Sequence, residues 1–227
     1  MSYVFAAPMQ PSVEVKGTGN RFPVRRIFCV GRNYAAHARE MGNDDREPPF
    51  FFTKPADAVV ANNSQVPYPL RTSNFHHEVE LVVAIGSSGV NVAKGDASAL
   101  IFGYAVGIDF TRRDLQNDAK DNGRPWDTSK GFDRSAPMAA IHPRKDVGLI
   151  ETGEIWLTVN GRDRQRANLA EMTWKVPEII AELSTLFELA PGDLIFTGTP
   201  AGVGPLVRGD AVEAGIDGLT PLQTKIV

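Results

Sequence analysis

Residues 75–85 read Phe75-His76-His77-Glu78-Val79-Glu80-Leu81-Val82-Val83-Ala84-Ile85, an apolar, β-forming run that contains two glutamates one position apart. Side chains alternate between the two faces of a strand, so we expect Glu78 and Glu80 to project from one face, about 7 Å apart. Two carboxylates on one buried face repel each other and lose hydration unless they are paired or bind a metal. The run therefore predicts a divalent cation site, with a solvent-exposed edge strand as the alternative.

The composition limits the classes of function. The chain has 227 residues, 42% of them hydrophobic, which is enough for one full-sized core. A formal net charge of −3, without long blocks of like charge, gives no reason to expect nucleic acid or an anionic membrane as a partner. Cys29 is the only cysteine, which excludes an intrachain disulfide and a thiolate zinc cluster. We expect a cytoplasmic protein that acts on a small molecule, because no apolar run has the length of a signal or transmembrane segment.

The order of strand and turn signals predicts an α+β fold that is mostly β. Residues 1–24 are rich in proline and glycine and predict an irregular or short-hairpin opening segment, and residues 25–227 are expected to form a single catalytic domain. An apolar stripe predicts an amphipathic helix from Trp174 to Leu189, and Asn160-Gly161 predicts a hairpin. The predicted strands are 26–30, 50–55, 75–85, 101–110, 155–159, 194–196, 210–214 and 222–227.

A second acid-bearing apolar run adds a carboxylate to the predicted cation site. Asp109 comes near the end of the run 101–110, where a strand can deliver its side chain to a site. Glu78, Glu80 and Asp109 together would supply the oxygen ligands that Mg²⁺ or Mn²⁺ prefers. The alternative for Asp109 is a structural ion pair, since such networks also hold buried acids.

The next segment of the chain predicts a helical start. Thr111 and Asp114 have the spacing of a weak capping box, so a helical turn is expected to place Arg113 and Gln116, three residues apart, on one face. Lys130 follows in a glycine-containing turn. A lone lysine in such a turn is ordinarily a solvated charge, and that is its alternative here.

Six blocks of sequence occur in a fixed order between about residues 25 and 225. They are Val30-Gly31-Arg32-Asn33-Tyr34-Ala35-Ala36-His37, Phe52-Thr53-Lys54-Pro55, His76-His77-Glu78-Val79-Glu80, Asp109-Phe110-Thr111-Arg112-Arg113-Asp114-Leu115-Gln116, Lys130-Gly131-Phe132-Asp133 and Thr197-Gly198-Thr199-Pro200-Ala201-Gly202-Val203-Gly204. Together they resemble the ordered signature of the fumarylacetoacetate hydrolase family, in particular its small acylpyruvate and fumarylpyruvate hydrolases.

The resemblance implies a mixed β-sandwich roll, a homodimer, and a hydrolase that acts on C–C bonds of ketonic substrates with Mg²⁺ or Mn²⁺. The metal ligands that it implies are Glu78, Glu80 and Asp109. The residues that it implies face the bound 2-oxo acid are Lys130, Arg113, Gln116 and Thr199. In the larger members of the family a threonine follows the active-site lysine where this chain has Arg134, so that ligand position is not carried over.

Hydrolysis of an acylpyruvate would need an enolate stabiliser and an activated water. A metal and Lys130 can both place positive charge where the departing pyruvate enolate develops negative charge. His37 and Glu40 lie three apart on a predicted helix, 35–41, so Glu40 could orient His37 as the general base; an ordinary surface pair is the alternative. The polar loop 42–49 is expected to close over the site as a lid.

The resemblance implies fumarylpyruvate as substrate, cleaved to fumarate and pyruvate in gentisate-type aromatic catabolism. The sequence assigns no residue to the far carboxylate of that substrate, although Arg32 and Arg46 are candidates by position. It also leaves the choice between Mg²⁺ and Mn²⁺ open.

Other functions stay open at this point. The same fold could decarboxylate oxaloacetate or isomerise a related 2-oxo diacid, because fold alone does not choose among these reactions. An Fe(II) oxygenase would use His76, Glu78 and a distant histidine such as His142 as a facial triad, which leaves Glu80 and Asp109 unexplained. A catalytically silent binding domain is the remaining alternative.

Overall fold

Strands dominate the computed structural model, which describes residues 3–34 and 48–227. The strands are β1 Ser12–Glu14, β2 Arg21–Pro23, β3 Arg26–Gly31, β4 Phe50–Lys54, β5 Val59–Ala61, β6 Ser64–Val66, β7 Phe75–His77, β8 Val79–Ile85, β9 Ile101–Ile108, β10 Thr111–Arg112, β11 Ala136–Met138, β12 His142–Pro143, β13 Glu154–Val159, β14 Arg162–Asn168, β15 Asp193–Phe196, β16 Gly204–Leu206, β17 Ala211–Ile216 and β18 Leu222–Ile226. The α-helices are α1 Arg113–Asp121, α2 Asp127–Lys130, α3 Arg144–Val147 and α4 Val176–Leu186. Short 3₁₀ helices cover Ala56–Ala58, Ala97–Leu100 and Leu169–Glu171.

An eight-stranded mixed sheet forms the centre of the fold. Its order is β4-β3-β15-β8-β9-β11-β5, with β12 also paired to β9. Strand β15 runs parallel to β3 and antiparallel to β8, and β8 is antiparallel to β9. Every residue of β8 is buried between these neighbours and the layers above and below. The alternative of an exposed edge strand for residues 75–85 is therefore wrong.

Two hydrophobic clusters cover the two faces of the main sheet. Leu81 of β8 belongs to the larger cluster, together with Leu157 of β13 in the five-stranded sheet β14-β13-β17-β18-β6. Val82 belongs to the second cluster, together with Phe22 of β2. Because neighbouring side chains point to opposite faces, a strand covered on both sides needs an almost continuous apolar sequence, and β8 is apolar at every position except Glu80. The layered sheets confirm the predicted mostly-β α+β fold, a mixed β-sandwich roll.

The opening segment is only partly irregular. Residues 3–11 contain no helix or strand, whereas β1 and β2 form an antiparallel hairpin. Phe22 and Val13 of this hairpin pack into the second hydrophobic cluster. The division into an opening segment 1–24 and a catalytic domain 25–227 stays a prediction.

Residues 75–85 form two strands rather than the single strand that the sequence predicts. Strand β7 pairs with β10 and β16 in a separate three-stranded sheet, whereas β8 belongs to the main sheet. Glu78 lies at the break, and its backbone carbonyl accepts a hydrogen bond of 2.8 Å from the N–H of Asp109. The chain changes sheets at Glu78 because β7 finds its partners in β10 and β16, which the local pattern does not reveal.

Two helix predictions need correction at their ends. The helix α4 is shorter than the predicted 174–189, since Phe187 is extended and Leu186 is 60% exposed. The predicted capping box at Thr111 is wrong, because α1 begins after Arg112 and receives no side-chain cap. Thr111 instead donates a hydrogen bond of 3.0 Å to Glu78 Oε1.

The remaining strand predictions are confirmed, including the hairpin at Asn160-Gly161, which joins β13 to β14. The predicted helix 35–41 lies outside the described residues, as does the part of the predicted lid from 42 to 47. Within the part of the chain that is described, no helix has the length and hydropathy needed to cross a bilayer.

Candidate active site

Three buried carboxylates meet where the main sheet adjoins the three-stranded sheet. Glu78, Glu80 and Asp109 each offer one oxygen, and these oxygens lie within 4.8 Å of one another. Glu80 lies in β8 opposite Gly107 of β9, and Asp109 directly follows β9. A Cβ at position 107 would lie 2.5 Å from Val82 Cγ2, so only glycine allows β9 to approach this closely. The sheet thus brings together the three acids that the sequence singles out.

The buried negative charges of the three carboxylates favour the binding of a cation. Burial raises the pKa of Glu80 well above its usual range, and the charges of Asp109 and Glu78 raise it further. Lys130 and the N–H of Gly198, which donates to Glu80 Oε2 at 2.8 Å, act in the opposite direction. A divalent cation would favour the ionised form of all three acids. Three carboxylates with room for further oxygen ligands suit Mg²⁺ or Mn²⁺, so the residues present fit such a metal.

Lys130 is buried against two members of the cluster. Its Nζ lies 2.9 Å from Glu78 Oε2 and 2.6 Å from Asp109 Oδ2, and it donates to Thr111 Oγ1 at 2.7 Å. Burial lowers the pKa of Lys130, but the charges of Asp109 and Glu78 outweigh that effect and raise the pKa overall. The alternative of a solvated surface lysine is therefore wrong, and the side chain is a charged ammonium at neutral pH.

Arg113 and Gln116 lie on the face of α1 that adjoins the cluster. Arg113 donates to Gln116 Oε1 and forms an ion pair with Glu78. Both residues line one pocket together with Glu78, Lys130 and Thr199. The spacing of three on a helix thus places them as the sequence predicts, and their role in substrate binding stays a prediction.

Thr199 is held by a hydrogen-bond chain that starts at a histidine. His77 Nδ1 lies 2.9 Å from Gln165 Oε1, and Gln165 Nε2 donates to Thr199 Oγ1 at 2.8 Å. Gly198, just before Thr199, has φ +96°, and a Cβ there would lie 2.7 Å from Asn33 Cβ. The loop after β15 therefore has one tightly defined path into the pocket.

The family model described as fumarylacetoacetate (FAA) hydrolase C-terminal matches residues 26–227, which is nearly the whole chain. The chain belongs to the fumarylacetoacetate hydrolase family. Its membership confirms the resemblance that the six sequence blocks carry.

Relatives of this family member include enzymes named for different activities. A fumarylpyruvate hydrolase from Ralstonia sp. is 47% identical over 180 residues, which cover 79% of this chain and 93% of the relative. A mitochondrial oxaloacetate decarboxylase from Dictyostelium discoideum is 40% identical over 205 residues, 89% of this chain and 94% of the relative. The crystal structure of fumarylpyruvate hydrolase from Pseudomonas aeruginosa in complex with Mn²⁺ and pyruvate has a TM-score of 0.97 at 50% identity, covering 100% of this chain and 99% of that one.

Lys54 is a buried site residue of this family member to which the sequence assigned no role. Its Nζ lies 2.7 Å from Asp109 Oδ1 without hydrogen-bond geometry, and it donates to the carbonyls of Phe110, at 3.2 Å, and of Lys130. Asp109 therefore forms buried ion pairs, as the alternative of a structural aspartate expects. It also belongs to the carboxylate cluster. One sequence feature could have indicated this role. Lys54 is the charged residue at the end of an aromatic strand in the block Phe52-Thr53-Lys54-Pro55.

Gln165 is the second site residue that the sequence did not single out. It is buried on β14 within a run of charged residues, Arg162-Asp163-Arg164-Gln165-Arg166, which reads as a solvated strand. Only the pairing of sheets places its amide between His77 and Thr199. No local pattern could have predicted that contact.

The histidines of the oxygenase alternative do not assemble a facial triad. His76 Nε2 donates to Asn74 Oδ1 at 2.7 Å, and burial, followed by the charge of Arg113, lowers its pKa to about 4. His142 instead makes its hydrogen bonds with Thr220. Within residues 3–34 and 48–227, the group of potential metal ligands is Glu78, Glu80 and Asp109, and it contains no histidine.

Three further candidates lie outside the described residues. These are His37 and Glu40, which the sequence predicts as the water-activating pair, and Arg46, a candidate for the far carboxylate of the substrate. Their roles stay predictions. Arg32, the other candidate for that carboxylate, is described and lines the pocket.

Proposed function

We propose that this family member is a metal-dependent hydrolase of acylpyruvates, which converts fumarylpyruvate and water to fumarate and pyruvate. The observation that carries the proposal is the buried cluster of three carboxylates with the ammonium of Lys130 beside it. The Ralstonia and Pseudomonas relatives, both named as fumarylpyruvate hydrolases, support fumarylpyruvate as the substrate.

Glu78, Glu80 and Asp109 would hold Mg²⁺ or Mn²⁺, which acts as a Lewis acid on a 2-oxo carboxylate when it is bound. Lys130 contributes a second positive charge within the same buried space. Its ammonium stabilises the negative charge that develops on the pyruvate half of the substrate as the C–C bond breaks. Because Lys130 is already fixed by three partners, it needs no rearrangement during the reaction.

Arg113, Gln116 and Thr199 are proposed to hold the pyruvate half of the substrate. The guanidinium of Arg113 can donate charge-assisted hydrogen bonds to a carboxylate, and its contact with Gln116 fixes its direction. The hydroxyl of Thr199, held by Gln165, can donate to an oxygen of the same group. The three side chains thus orient the bond that is to be cleaved.

The hydrolytic step requires a base for water, and we assign it to His37, oriented by Glu40. His37 accepts a proton from water, and the hydroxyl adds to the C4 carbonyl of the substrate. The C3–C4 bond then breaks, its electron pair passes to the pyruvate half as an enolate, and C3 takes up the proton that His37 took from water. The hydroxyl from water becomes part of the new carboxyl group of fumarate, which ionises and releases one proton to solvent, so atoms and charge balance.

Decarboxylation of oxaloacetate is the second candidate function. The relative from Dictyostelium discoideum that is named for that activity favours it. Loss of CO₂ from oxaloacetate also produces a pyruvate enolate, which the same metal and Lys130 could stabilise. It needs no water at C4, so His37 and Glu40 would be dispensable for that reaction.

The deciding experiment is a spectrophotometric screen of fumarylpyruvate, acetylpyruvate, fumarylacetoacetate and oxaloacetate, each with Mg²⁺ or Mn²⁺. We expect the largest kcat/KM with fumarylpyruvate. The reaction is monitored by the loss of the enol absorbance of the substrate. A larger kcat/KM with oxaloacetate would favour the second candidate. Turnover of none of the four would favour a binding domain without catalysis.

The proposal includes three properties that the family resemblance implies. They are a homodimeric state, a cytoplasmic location and a role in gentisate-type aromatic catabolism. Sedimentation velocity at micromolar concentration tests the first, with a single species of twice the 24.7 kDa chain mass expected. Nucleic acid and membranes are not expected among the partners.

A further inference from the structure

A second set of charged side chains lines the pocket that contains Glu78 and Lys130. Arg32, which directly follows β3, and Lys120, which lies in α1, both line this pocket. Lys120 is in the last turn of α1, seven residues after Arg113 and four after Gln116. Residues at these spacings share one face of a helix. Arg113, Gln116 and Lys120 therefore form a polar row along one wall, about 10 Å long by helix rise.

The cations of this wall are close enough to affect one another. Burial lowers the pKa of Lys120, and the positive charges of Arg32 and Arg113 lower it further, while Asp121 opposes them. In the described part of the chain, Lys120 makes no hydrogen bond or ion pair with another side chain. An anion placed beside Lys120 would offset the repulsion that the positive charges of Arg32 and Arg113 exert on its ammonium.

Aromatic rings also line this pocket. Phe52 and Trp126 contribute to the wall, with their ring centroids 5.7 Å apart. Lys130 Nζ lies 5.2 Å from the Phe52 ring, which connects this apolar part to the cluster. The guanidinium of Arg32 lies 5.5 Å from the ring of Phe50, which in turn packs edge-on against Trp126. The pocket lining therefore combines a member of the carboxylate cluster and Lys130 with two aromatic rings and further cations.

We propose that Lys120, together with Arg32, binds the far carboxylate of a 2-oxo diacid and so selects diacids over mono-acids. The inference rests on the proposed function, since it places the 2-oxo carboxylate of the same substrate at the Glu78, Glu80 and Asp109 cluster. The unsaturated carbon chain then lies against Phe52 and Trp126. A substrate that ends in a methyl group would place no anion beside Lys120.

The test compares two ligands that differ only at the far end, 2-oxoheptanedioate and 2-oxoheptanoate. Their binding to the Mn²⁺-loaded protein is measured by calorimetry in the wild type and in Lys120→Met, which removes the charge and keeps an apolar chain. The wild type is expected to bind the diacid more tightly. The Lys120→Met change is expected to weaken diacid binding about 10- to 100-fold, the usual worth of a charged hydrogen bond, and to leave the mono-acid within twofold.

Arg124→Met is the matched control, because it removes one positive charge just beyond the same helix. Arg124 is exposed and pairs with Asp118, so its loss should leave both affinities unchanged. Lys120→Arg should restore most of the preference for the diacid. Equal binding of the two ligands by the wild type, or an equal loss for both in Lys120→Met, would overturn the inference.

Turnover of fumarylpyruvate decides the proposed function separately. A wild type that prefers the diacid but leaves fumarylpyruvate uncleaved would reject the hydrolase and still support the role of Lys120. A wild type that cleaves fumarylpyruvate and binds both ligands equally would support the hydrolase and reject the role of Lys120.

Discussion

Lys54 Nζ lies 2.7 Å from Asp109 Oδ1, and both side chains are fully buried. Lys130 Nζ lies 2.6 Å from the other oxygen of the same carboxylate. Asp109 is thus placed between two ammonium groups that come from β4 and α2. A buried charge is stable only when it is paired with opposite charges. The contacts of Asp109 with Lys54 and Lys130 therefore build the site and also join separate parts of the fold.

Lys54→Met should destabilise the fold. Removing one partner of a buried ion pair costs about 3–5 kcal/mol in the free energy of unfolding, and here it removes one ammonium beside Asp109 and leaves that of Lys130. Urea unfolding in the absence of metal measures this change. Lys94→Met is the control, because Lys94 is 64% exposed in its pair with Glu178 and should cost less than about 1 kcal/mol. Equal, small changes in both variants would show that Asp109 does not depend on Lys54.

Glu80→Gln should weaken metal binding without weakening the fold. The pKa of Glu80 is raised by burial and by Asp109 and Glu78, so loss of its charge relieves repulsion in the metal-free protein. Calorimetric titration with Mn²⁺ is expected to show a lower affinity, and the thermal midpoint without metal should stay equal or rise. Glu151→Gln, an exposed change of the same kind, should alter neither quantity. Native Mn²⁺ affinity in Glu80→Gln would argue against Glu80 as a ligand.

His37→Ala should lower kcat for fumarylpyruvate by about 10²- to 10⁴-fold, the usual worth of a positioned general base, with little change in KM. Steady-state kinetics with saturating Mg²⁺ measure both parameters. If the change appears in KM alone, His37 is a binding residue and the assignment of the base is wrong.

Gln165→Leu should disturb the pocket through Thr199. The amide donates to Thr199 Oγ1 and accepts from the N–H of Val79, so an apolar replacement leaves buried groups unpaired. We expect a loss of about 1–3 kcal/mol in stability and a raised KM for fumarylpyruvate. Gln223→Leu on the exposed face of β18 is the control and should leave KM unchanged. A normal KM in Gln165→Leu would show that Thr199 needs no support from this amide.

Oxalate should inhibit more strongly than pyruvate. Oxalate resembles the planar enolate of pyruvate with both oxygens charged, and a catalytic site prefers the species nearest its transition state. Competitive inhibition constants against fumarylpyruvate, measured at several Mg²⁺ concentrations, should give this order and should depend on metal for both compounds. Equal inhibition by pyruvate, or oxalate binding that needs no metal, would contradict the enolate-stabilising role of the cluster and Lys130.

The sequence predicted the acids of the site because strand patterns are local. Glu78, Glu80 and Asp109 stand out as charges inside apolar runs, and β8 and β9 pair so that these charges converge. The spacing of Arg113 and Gln116 on a helix is also local, and α1 preserves it.

Contacts between distant segments could not be predicted in the same way. Lys54 reaches the carbonyl of Lys130, and Gln165 reaches Thr199, through pairings that only the assembled sheets determine. The break at Glu78 has the same origin, since it depends on β10 and β16 as partners of β7. A pattern read along one strand contains no information on these partners.

We expect the protein to split fumarylpyruvate by adding water across its C3–C4 bond, in a reaction that requires a bound divalent cation. Proton NMR of the reaction mixture tests it most directly, because it counts both products as the substrate disappears. We expect fumarate and pyruvate in a 1:1 ratio with Mg²⁺ or Mn²⁺, and no turnover after removal of metal with EDTA. Unchanged fumarylpyruvate in the presence of metal, or full turnover by a preparation shown to be metal-free, would contradict it.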